Sequence, residues 1–429
     1  MKQWLAMAGI SVTVAALAGT GTGADIAGSD KPPCMATEAR RARERLAALP
    51  SEPGPHIEKI RAMGDNEWLD LGAPTPDPTW GLRRGAGYTP RMAFAPEMRG
   101  AFVFGEGPHG TRNVDGKIMW GYGSNFMTDL FFYDIHAHAW LCVSPPFFWD
   151  EQTLTVDENG FEVDETGQPV PYSLSHGWQY YDYNSHLRQF MAVFSGCTFS
   201  GRVMRERRKA WTEGKELAQR GHPWFWDVAS GRWQRHVTTG DIPQLHEHDH
   251  ILQYVPSLKS SFYIAAHGNA RGIYRFDHAS NHWTRVSMPQ AGRGPVAFDT
   301  KRSRLYFCNG GKAYDFAKDE WIELADPDIW KQFSRRGTAR ANMTYDAVND
   351  VVVARHLNVG MRVYDVEKDV WLEETLDQPP RCERGRLGGV SYAAFSSFYD
   401  SELNAHFHHL AGDGLRNGKI WVYRFKRAE

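Results

Sequence analysis

The 429-residue sequence lacks the motifs that assign an activity directly. It has no glycine-rich phosphate-binding loop, no G-x-S-x-G nucleophile turn, no H-E-x-x-H zinc motif and no nucleic-acid-binding module. Its formal net charge is only −2, so no overall field attracts nucleic acid. We therefore expect neither a nucleic-acid-binding protein nor an enzyme of the classes that these motifs define.

Cysteine is also scarce. The five cysteines are odd in number and widely scattered: Cys34, Cys142, Cys197, Cys308 and Cys382. This pattern excludes both a disulfide scaffold and a C-x-x-C metal site. One or two bridges can form after export, but at least one thiol is left over.

Long apolar runs are missing after the N-terminus. The one such run covers residues 4–18, follows a single basic residue and leads into small residues that end at Ala24. This pattern is typical of a secretory signal peptide over residues 1–24, and the run is too short to favour a permanent membrane span. We therefore expect a soluble protein of the periplasm or the extracellular space, with a mature chain that begins near Asp25.

Tryptophan, by contrast, is abundant, and five of the 16 tryptophans close a repeated motif. The motif is an aromatic residue, Asp, five further residues and Trp, and repeats of this kind indicate a modular fold. The copies are Tyr133-Asp134 to Trp140, Trp226-Asp227 to Trp233, Phe276-Asp277 to Trp283, Tyr314-Asp315 to Trp321 and Tyr364-Asp365 to Trp371. Each copy predicts a strand, a polar turn and a second strand that begins near the Trp.

A second predicted hairpin precedes each copy, and a sixth hairpin, "SFYDSELNAHFHHLAG", has no complete motif after it. The chain ends soon after a third strand in this last unit, but residues 66–72, "NEWLDLG", supply a strand with Trp68 in the missing position. Six units of four strands, a to d from the inside outwards, predict an all-β fold: a six-bladed β-propeller over residues 65–429, closed by an N-terminal strand. Residues 25–64 predict a short helix, with Thr37 as its N-cap, and a linker.

The motif resembles the kelch repeat, whose blades carry a Gly pair after the second strand and a Tyr and Trp pair in the outer half. The Gly pair is intact only at Gly310-Gly311. The resemblance implies a secreted propeller of the kelch and galactose-oxidase-like superfamily. The copper oxidases of that group need a Tyr-His pair, a second His and a Tyr cross-linked to Cys. The chain has no Tyr-His dipeptide, so no copper-radical site is expected.

The long insertions, at about residues 107–127, 144–175 and 197–222, all fall in the d–a and b–c connections, which share one face of a propeller. Long loops on one face of a rigid scaffold favour a binding site there. Insertion 150–165 carries seven acidic residues and insertion 202–220 is basic. The two either pair with each other or form a basic wall that attracts an anionic sugar chain. Exposed tryptophans, of which Trp120, Trp178, Trp224 and Trp226 are candidates, would stack on sugar rings. Trp226, however, occupies the aromatic position of the repeat, which favours a core position for it.

Histidines gather near the same face, most densely in "HEHDHILQY". In an extended chain His246, His248 and His250 point to one side, and imidazole suits zinc or another divalent cation. Alternate residues lie about 6–7 Å apart, so two of the three chelate one ion more readily than all three. The cofactor therefore stays unknown, with His176 or His267 as a further ligand and a wet polar channel as the alternative.

We expect the protein to bind a carbohydrate-like ligand on the loop-rich face, and the candidate ligands include anionic glycans. The candidate ligand-binding residues are Tyr180, His248, Arg355, His356, Arg362, His406 and His408. The first alternative is a polysaccharide lyase, favoured over an oxidase, in which His removes a proton and Arg neutralises a uronate carboxylate. Its candidate catalytic residues are His176, His250, His267 and Arg271. The second alternative is a scaffold that docks a protein partner through the same loops.

Overall fold

Six small antiparallel sheets follow one another along the chain. The computed structural model describes residues 35–83, 91–105, 128–145, 147, 153–171, 179–193, 202–219, 221–244, 250–266, 271–292, 294–334, 341–356, 359–373, 376, 385–387, 390–392, 395–410 and 418–428. Innermost strands of neighbouring sheets contact one another. The fold is a six-bladed β-propeller, so the predicted all-β class and blade number are confirmed.

The first half of the chain forms blades 1 and 2. Two helices and a strand come first: α1 Met35–Ala47, α2 His56–Ala62 and β1 Glu67–Gly72. Blade 1 contains β2 Ala93–Ala95, β3 Gly100–Phe104, β4 Leu130–Asp134 and β5 Ala139–Ser144, and a small hairpin follows, β6 Thr155–Val156 and β7 Glu162–Val163. Blade 2 contains β8 Tyr181–Asn184, β9 Gln189–Ala192, β10 Trp224–Asp227 and β11 Arg232–Arg235, with α3 Arg202–Thr212 between β9 and β10.

The second half forms blades 3 to 6. Blade 3 contains β13 His250–Val255, β14 Ser260–Ala265, β15 Gly272–Asp277 and β16 His282–Ser287, with β12 Thr239–Gly240 at its outer edge. Blade 4 contains β17 Val296–Asp299, β18 Arg304–Phe307, β19 Lys312–Asp315 and β20 Glu320–Glu323, followed by α4 Pro327–Ser334. Blade 5 contains β21 Ala341–Asp346, β22 Val351–His356, β23 Gly360–Asp365 and β24 Val370–Trp371, and the hairpin β25 Gly385–Leu387 and β26 Val390–Tyr392 follows. Blade 6 contains β27 Phe395–Asp400, β28 Ala405–Leu410, β29 Lys419–Arg424 and β1.

The a–b turns share one local design. Each has a residue in the left-handed conformation with φ between 46° and 57°: Arg99, Arg188, Lys259, Ser303, Asp350 and Asn404. In four blades the last residue of strand a is Asn184, Asp299, Asp346 or Asp400, and its side chain accepts backbone N–H bonds from the turn. In the other two blades a single 3-10 turn begins at Pro96 or Pro256. Both devices fix a short turn locally, so strands a and b stay in the same relation in every blade.

The c–d turns explain the repeated Trp. A left-handed residue, φ between 47° and 66°, lies two positions before each of six tryptophans: Asn66, His138, Gly231, Asn281, Asp319 and Asp369. In four blades the Tyr hydroxyl of strand c contacts this residue: Tyr133 with His138, Tyr314 with Asp319, Tyr364 with Asp369 and Tyr423 with Asn66. The Tyr and the Trp of the motif therefore mark the two ends of one hydrogen-bonded turn.

Blade 6 takes its outermost strand from the N-terminal part of the chain. Strand β1 pairs antiparallel with β29, and Trp68 lies opposite Tyr423. The same pairing joins Trp371 to Tyr364 in blade 5. Helix α1 begins at Met35, so Thr37, the predicted N-cap, lies inside the helix. No helix in the described part of the chain is both long and apolar enough to cross a membrane.

The hydrophobic core is divided among the blade interfaces. The described residues form six clusters of buried apolar side chains, each lying between two neighbouring blades. Sheets of a propeller stand radially, so both faces of each blade are covered by a neighbour. Most strands are therefore buried on both faces, as β14, β21 and β22 are along their whole length.

Candidate functional site

The sequence-predicted site residues fall into two groups. His176, His246, His248 and His267 lie outside the described residues, as do Trp120 and Trp178. The other predicted residues are described, and most of them are buried between blades. Among the described residues no group of three His, Cys, Asp or Glu side chains is placed to hold a metal ion. The predicted metal site at residues 246–250 thus stays a prediction.

His250 opens strand β13 and is 2% exposed. Its Nδ1 lies 2.6 Å from the hydroxyl of Tyr263, and the two rings stack with centroids 5.4 Å apart. Tyr263 belongs to the apolar cluster between blades 2 and 3. The His250 ring is therefore held inside a blade interface by Tyr263.

The seam between blades 5 and 6 contains three more of the predicted residues. His406 Nδ1 lies 2.7 Å from Thr344 Oγ1, and His406 Nε2 lies 3.6 Å from Asp346 Oδ2. His408 contacts the Trp68 ring, with centroids 5.1 Å apart, and the Arg355 guanidinium lies over the same ring, 5.4 Å from its centroid. Burial and the Arg355 guanidinium lower the pKa of His408 well below its ordinary value. The His408 ring is therefore neutral at neutral pH.

The remaining predicted residues are dispersed. Tyr180 is fully buried beside Tyr181 in the interface of blades 1 and 2. His356 is buried against Phe333 of α4. Arg271 is exposed, and its Nη2 donates to the Pro289 carbonyl at 2.7 Å. Arg362 is half-buried in β23.

One expectation about sugar-binding surfaces was wrong. Trp224, proposed as an exposed stacking platform, is 0% exposed. Trp226 is also 0% exposed, as its aromatic position in the repeat indicated. The Arg235 guanidinium covers the Trp224 ring, 3.6 Å from its centroid, and lies 4.5 Å from the ring centroid of Phe161. Both indoles are core residues of the interface between blades 1 and 2: Trp226 belongs to the repeated motif, and Trp224 lies two positions before it on the same strand.

The basic and acidic insertions pack on each other. Arg208 of α3 forms a two-point ion pair with Glu162 of β7, with N–O distances of 2.6 and 3.1 Å. The Glu162 side chain is 1% exposed, and the Ala218 N–H donates to the Gly160 carbonyl at 2.9 Å. These contacts favour the pairing interpretation over a basic wall, since Arg208 already has a carboxylate partner.

A cavity of about 290 Å³ lies on the propeller axis. Strand a or the segment next to it contributes from every blade: Phe94, Asp182, Gln253, Phe298, Tyr345 and Phe398. The lining continues into the a–b turns at Ser185, Thr300, Ala347 and Ser401. The cavity therefore reaches the turn side of the channel, opposite the face predicted to carry the long loops.

Arg91 lines this cavity and joins several blades. It lies just before β2 and forms a parallel bridge with Ser397 of blade 6. Its Nη1 donates to the Leu252 carbonyl at 2.9 Å, and its Nη2 donates to Gln253 Oε1 at 3.1 Å. Nη2 also lies 2.8 Å from Asp182 Oδ1. One guanidinium thus connects blades 1 and 6 with blades 2 and 3.

Asp182 and Gln253 complete a closed trio with Arg91. Gln253 Nε2 donates to Asp182 Oδ2 at 3.0 Å, and the Tyr254 N–H donates to the same oxygen at 2.7 Å. Burial raises the pKa of Asp182 above its ordinary value, and the Arg91 guanidinium opposes that shift only in part. The trio is therefore a direct ion pair of Arg91 and Asp182, and the Gln253 amide hydrogen-bonds to both partners.

Aromatic and apolar side chains make up much of the remaining lining. Phe94 and Phe398 stack with centroids 5.0 Å apart. Three tyrosines of the lining donate their hydroxyls to carboxylates of the protein: Tyr183 to Glu97, Tyr345 to Asp350 at 2.5 Å and Tyr399 to Asp346 at 2.7 Å. Burial raises the pKa of each of these tyrosines. The hydroxyls are consequently protonated and engaged.

Sequence reasoning missed the trio. Gln253 lies inside "ILQY", which reads as the apolar tail of the histidine-rich stretch, and a polar residue in a strand buried on both faces is the one available signal. Arg91 carries no local signal, because its partners are 161 and 162 residues away along the chain. No family model matches the chain, and no curated protein matches it significantly.

Proposed function

We propose that the protein is an exported, kelch-like propeller that binds a small carbohydrate-like ligand in its axial cavity. One observation carries this proposal: a hydrogen-bonding trio and several aromatic residues line the same small cavity. Ligand sites are typically concave, mostly apolar and equipped with a few placed polar groups, at volumes of roughly 300–1,000 Å³. The cavity lies at the lower end of that range, so its ligand is small.

The polar part of the lining suits hydroxyl groups. The Arg91 guanidinium has five N–H groups and uses three of them in the bonds described above, so it still offers donors. The Asp182 carboxylate and the Gln253 amide oxygen offer acceptors, while both N–H groups of the Gln253 amide already bond to Asp182 and to the Tyr254 carbonyl. A sugar hydroxyl both donates and accepts, so it matches a cluster that holds both kinds of group. The trio is tied to blades 1, 2, 3 and 6, and its groups are therefore positioned before a ligand arrives.

The apolar part suits the C–H face of a sugar ring. The stacked pair Phe94 and Phe398 and the side chain of Phe298 lie in the lining beside Met92 and Met343. Such surface binds a ligand that has one apolar face and a polar rim. Simple ions and strongly hydrated chains lack that combination.

Calorimetric titration with a panel of neutral mono- and disaccharides tests the proposal. We expect saturable binding to the wild-type protein and an affinity at least about tenfold lower for Gln253→Ala, which is the order expected for one buried hydrogen bond. Gln234→Ala makes the same chemical change on the outermost strand of blade 2 and should bind as the wild type does. If no sugar of the panel binds the folded wild-type protein, the proposal fails.

Export and kelch-like character are parts of the proposal that rest on separate observations. The apolar run at residues 4–18 supports export, and cell fractionation with a mass measurement of the mature N-terminus would test it.

In blade 4 the residues Gly310 and Gly311 have φ of 101° and 59°, a conformation that favours glycine. This supports the kelch-like Gly pair in that blade.

The lyase, the loop-face ligand site and the scaffold stay predictions. Two of the four lyase candidates, His176 and His267, lie outside the described residues, and a third, His250, is buried against Tyr263. Release of unsaturated, ultraviolet-absorbing products from uronate polymers would establish a lyase, and a His250→Ala variant would show whether that ring takes part.

A further inference from the structure

We infer that the axial cavity selects an uncharged ligand, a neutral sugar or similar polyol, and discriminates against its acidic counterpart. The inference deepens the proposed carbohydrate-binding function and rests on it. It also changes the expectation drawn from the sequence, where the basic insertion suggested an anionic glycan.

The lining holds one cation and one anion. Of the residues that line the cavity, only Arg91 and Asp182 carry a formal charge at neutral pH. Their charged atoms lie 2.8 Å apart, with side chains that are 18% and 8% exposed. The described lining is therefore neutral overall, although it is strongly polar at one place.

The positive charge of Arg91 is already matched by the carboxylate of Asp182. Arg91 already donates to the Leu252 carbonyl and to Gln253, besides its contact with Asp182. A carboxylate that approached the guanidinium would come within a few ångströms of the Asp182 carboxylate. Two like charges so close in a poorly solvated site repel strongly, whereas a hydroxyl meets no such penalty.

The turns around the cavity add no field of one sign. Arg99 pairs with Asp400, and Arg302 pairs with Asp350 with an N–O distance of 2.6 Å. Asp299 and Asp346 accept backbone N–H bonds from their own turns. Basic residues (Arg99, Arg188, Lys259, Lys301 and Arg302) and acidic residues (Glu97, Asp299, Asp346, Asp350, Asp400 and Glu402) both occur at these turns, and their formal charges nearly cancel.

Titration with glucose and galactose, set against glucuronate and galacturonate at low and high salt, tests the inference. We expect the wild-type protein to bind a neutral sugar at least about tenfold more tightly than the matching uronate, with an affinity that salt hardly changes. Tighter binding of a uronate, weakened by salt, would overturn the inference and leave the proposed function standing. Binding of neither sugar type would instead remove the proposed function itself.

A substitution that removes the negative charge of Asp182 gives an independent readout. Asp182→Asn keeps the size of the side chain and leaves Arg91 without its anion, so uronate affinity should rise about tenfold or more and become salt-sensitive. Glu158→Gln removes the same charge from an exposed hairpin turn and should change neither value. Circular dichroism checks that the variants are folded, and the wild-type comparison stands without them. Unchanged selectivity in a folded Asp182→Asn protein would contradict the inference.

Discussion

Removal of the Arg91 guanidinium should strongly destabilise the propeller. In Arg91→Met the Asp182 carboxylate would lose its counter-ion while remaining 8% exposed. The variant also loses the bonds to the Leu252 carbonyl and to Gln253. Removal of one partner of a buried ion pair costs about 3–5 kcal/mol, a large share of the roughly 5–15 kcal/mol that stabilises a folded domain.

The loss should depend on pH in a defined direction. Burial already raises the pKa of Asp182 in the folded wild-type protein, so its ionisation costs stability as the pH rises through that value. Without Arg91 the pKa should rise further, since the group that favours the charged form is gone. The deficit of Arg91→Met should therefore be smaller at pH 5 than at pH 7 (both are experimental settings, about one and three units above the ordinary Asp pKa).

Urea unfolding followed by tryptophan fluorescence measures both effects. Arg188→Met is the matched control: Arg188 is 57% exposed and lies 3.9 Å from Glu97, and such surface pairs contribute about 0–1 kcal/mol. A second measurement, in Arg91→Met combined with Asp182→Asn, should recover part of the loss, because the stranded charge is removed. If Arg91→Met costs no more than the control, or if its deficit is the same at both pH values, the bridging role assigned to Arg91 is wrong.

Three further predictions concern other parts of the fold. Tyr423→Phe removes the 2.9 Å bond to Asn66, and we expect a loss of about 0.5–1.5 kcal/mol in urea unfolding; an unchanged midpoint would contradict the role of this turn. Arg208→Met removes the two-point ion pair to the buried Glu162 carboxylate. Limited proteolysis should therefore cut the insertions around α3 sooner while the blades stay resistant, and cleavage at the wild-type rate would oppose this. Burial lowers the pKa of His409 to about 3, so the free energy of unfolding falls as the pH drops below about 6.5. His409→Gln should lessen that fall by about 1.4 kcal/mol per pH unit. Equal slopes of unfolding free energy against pH for both proteins, measured in a urea series, would refute the prediction.

The blade repeat was predictable because its causes are local. The left-handed residue, the aromatic hydroxyl that contacts it and the Trp all lie within eight positions of one another in the blade-4 and blade-5 copies, "YDFAKDEW" and "YDVEKDVW". A short stretch of sequence therefore contains a complete turn. Trp68 was recognisable for the same reason, since Asn66 stands in the corresponding position before it.

The site was less predictable because its determinants are not local. Alternation along a strand separates a buried face from an exposed one only if one face is exposed. In this propeller both faces meet a neighbouring blade, and side chains such as His250 and His406 become buried where the pattern suggested a channel rim. The partners of Arg91 depend on how the ring brings blades 1, 2 and 3 together, and no short stretch of sequence contains that information.

The pairing of β1 with β29 has a consequence for connectivity. The Asn66 N–H donates to the Phe425 carbonyl at 2.8 Å, and Arg427 Nε donates to the Met63 carbonyl at 3.0 Å. Residues 63–66 and 425–427 are thus hydrogen-bonded neighbours, and the ring of blades does not depend on which blade comes first in the chain. A circular permutant would join residues 63–66 to residues 425–427 through a short linker and open the c–d turn of blade 4, between Asp315 and Glu320. It would keep every strand pairing and make blade 4 the blade that is built from both ends of the chain. The fold depends on the cyclic order of its blades, and the chain termini can be placed in any of them.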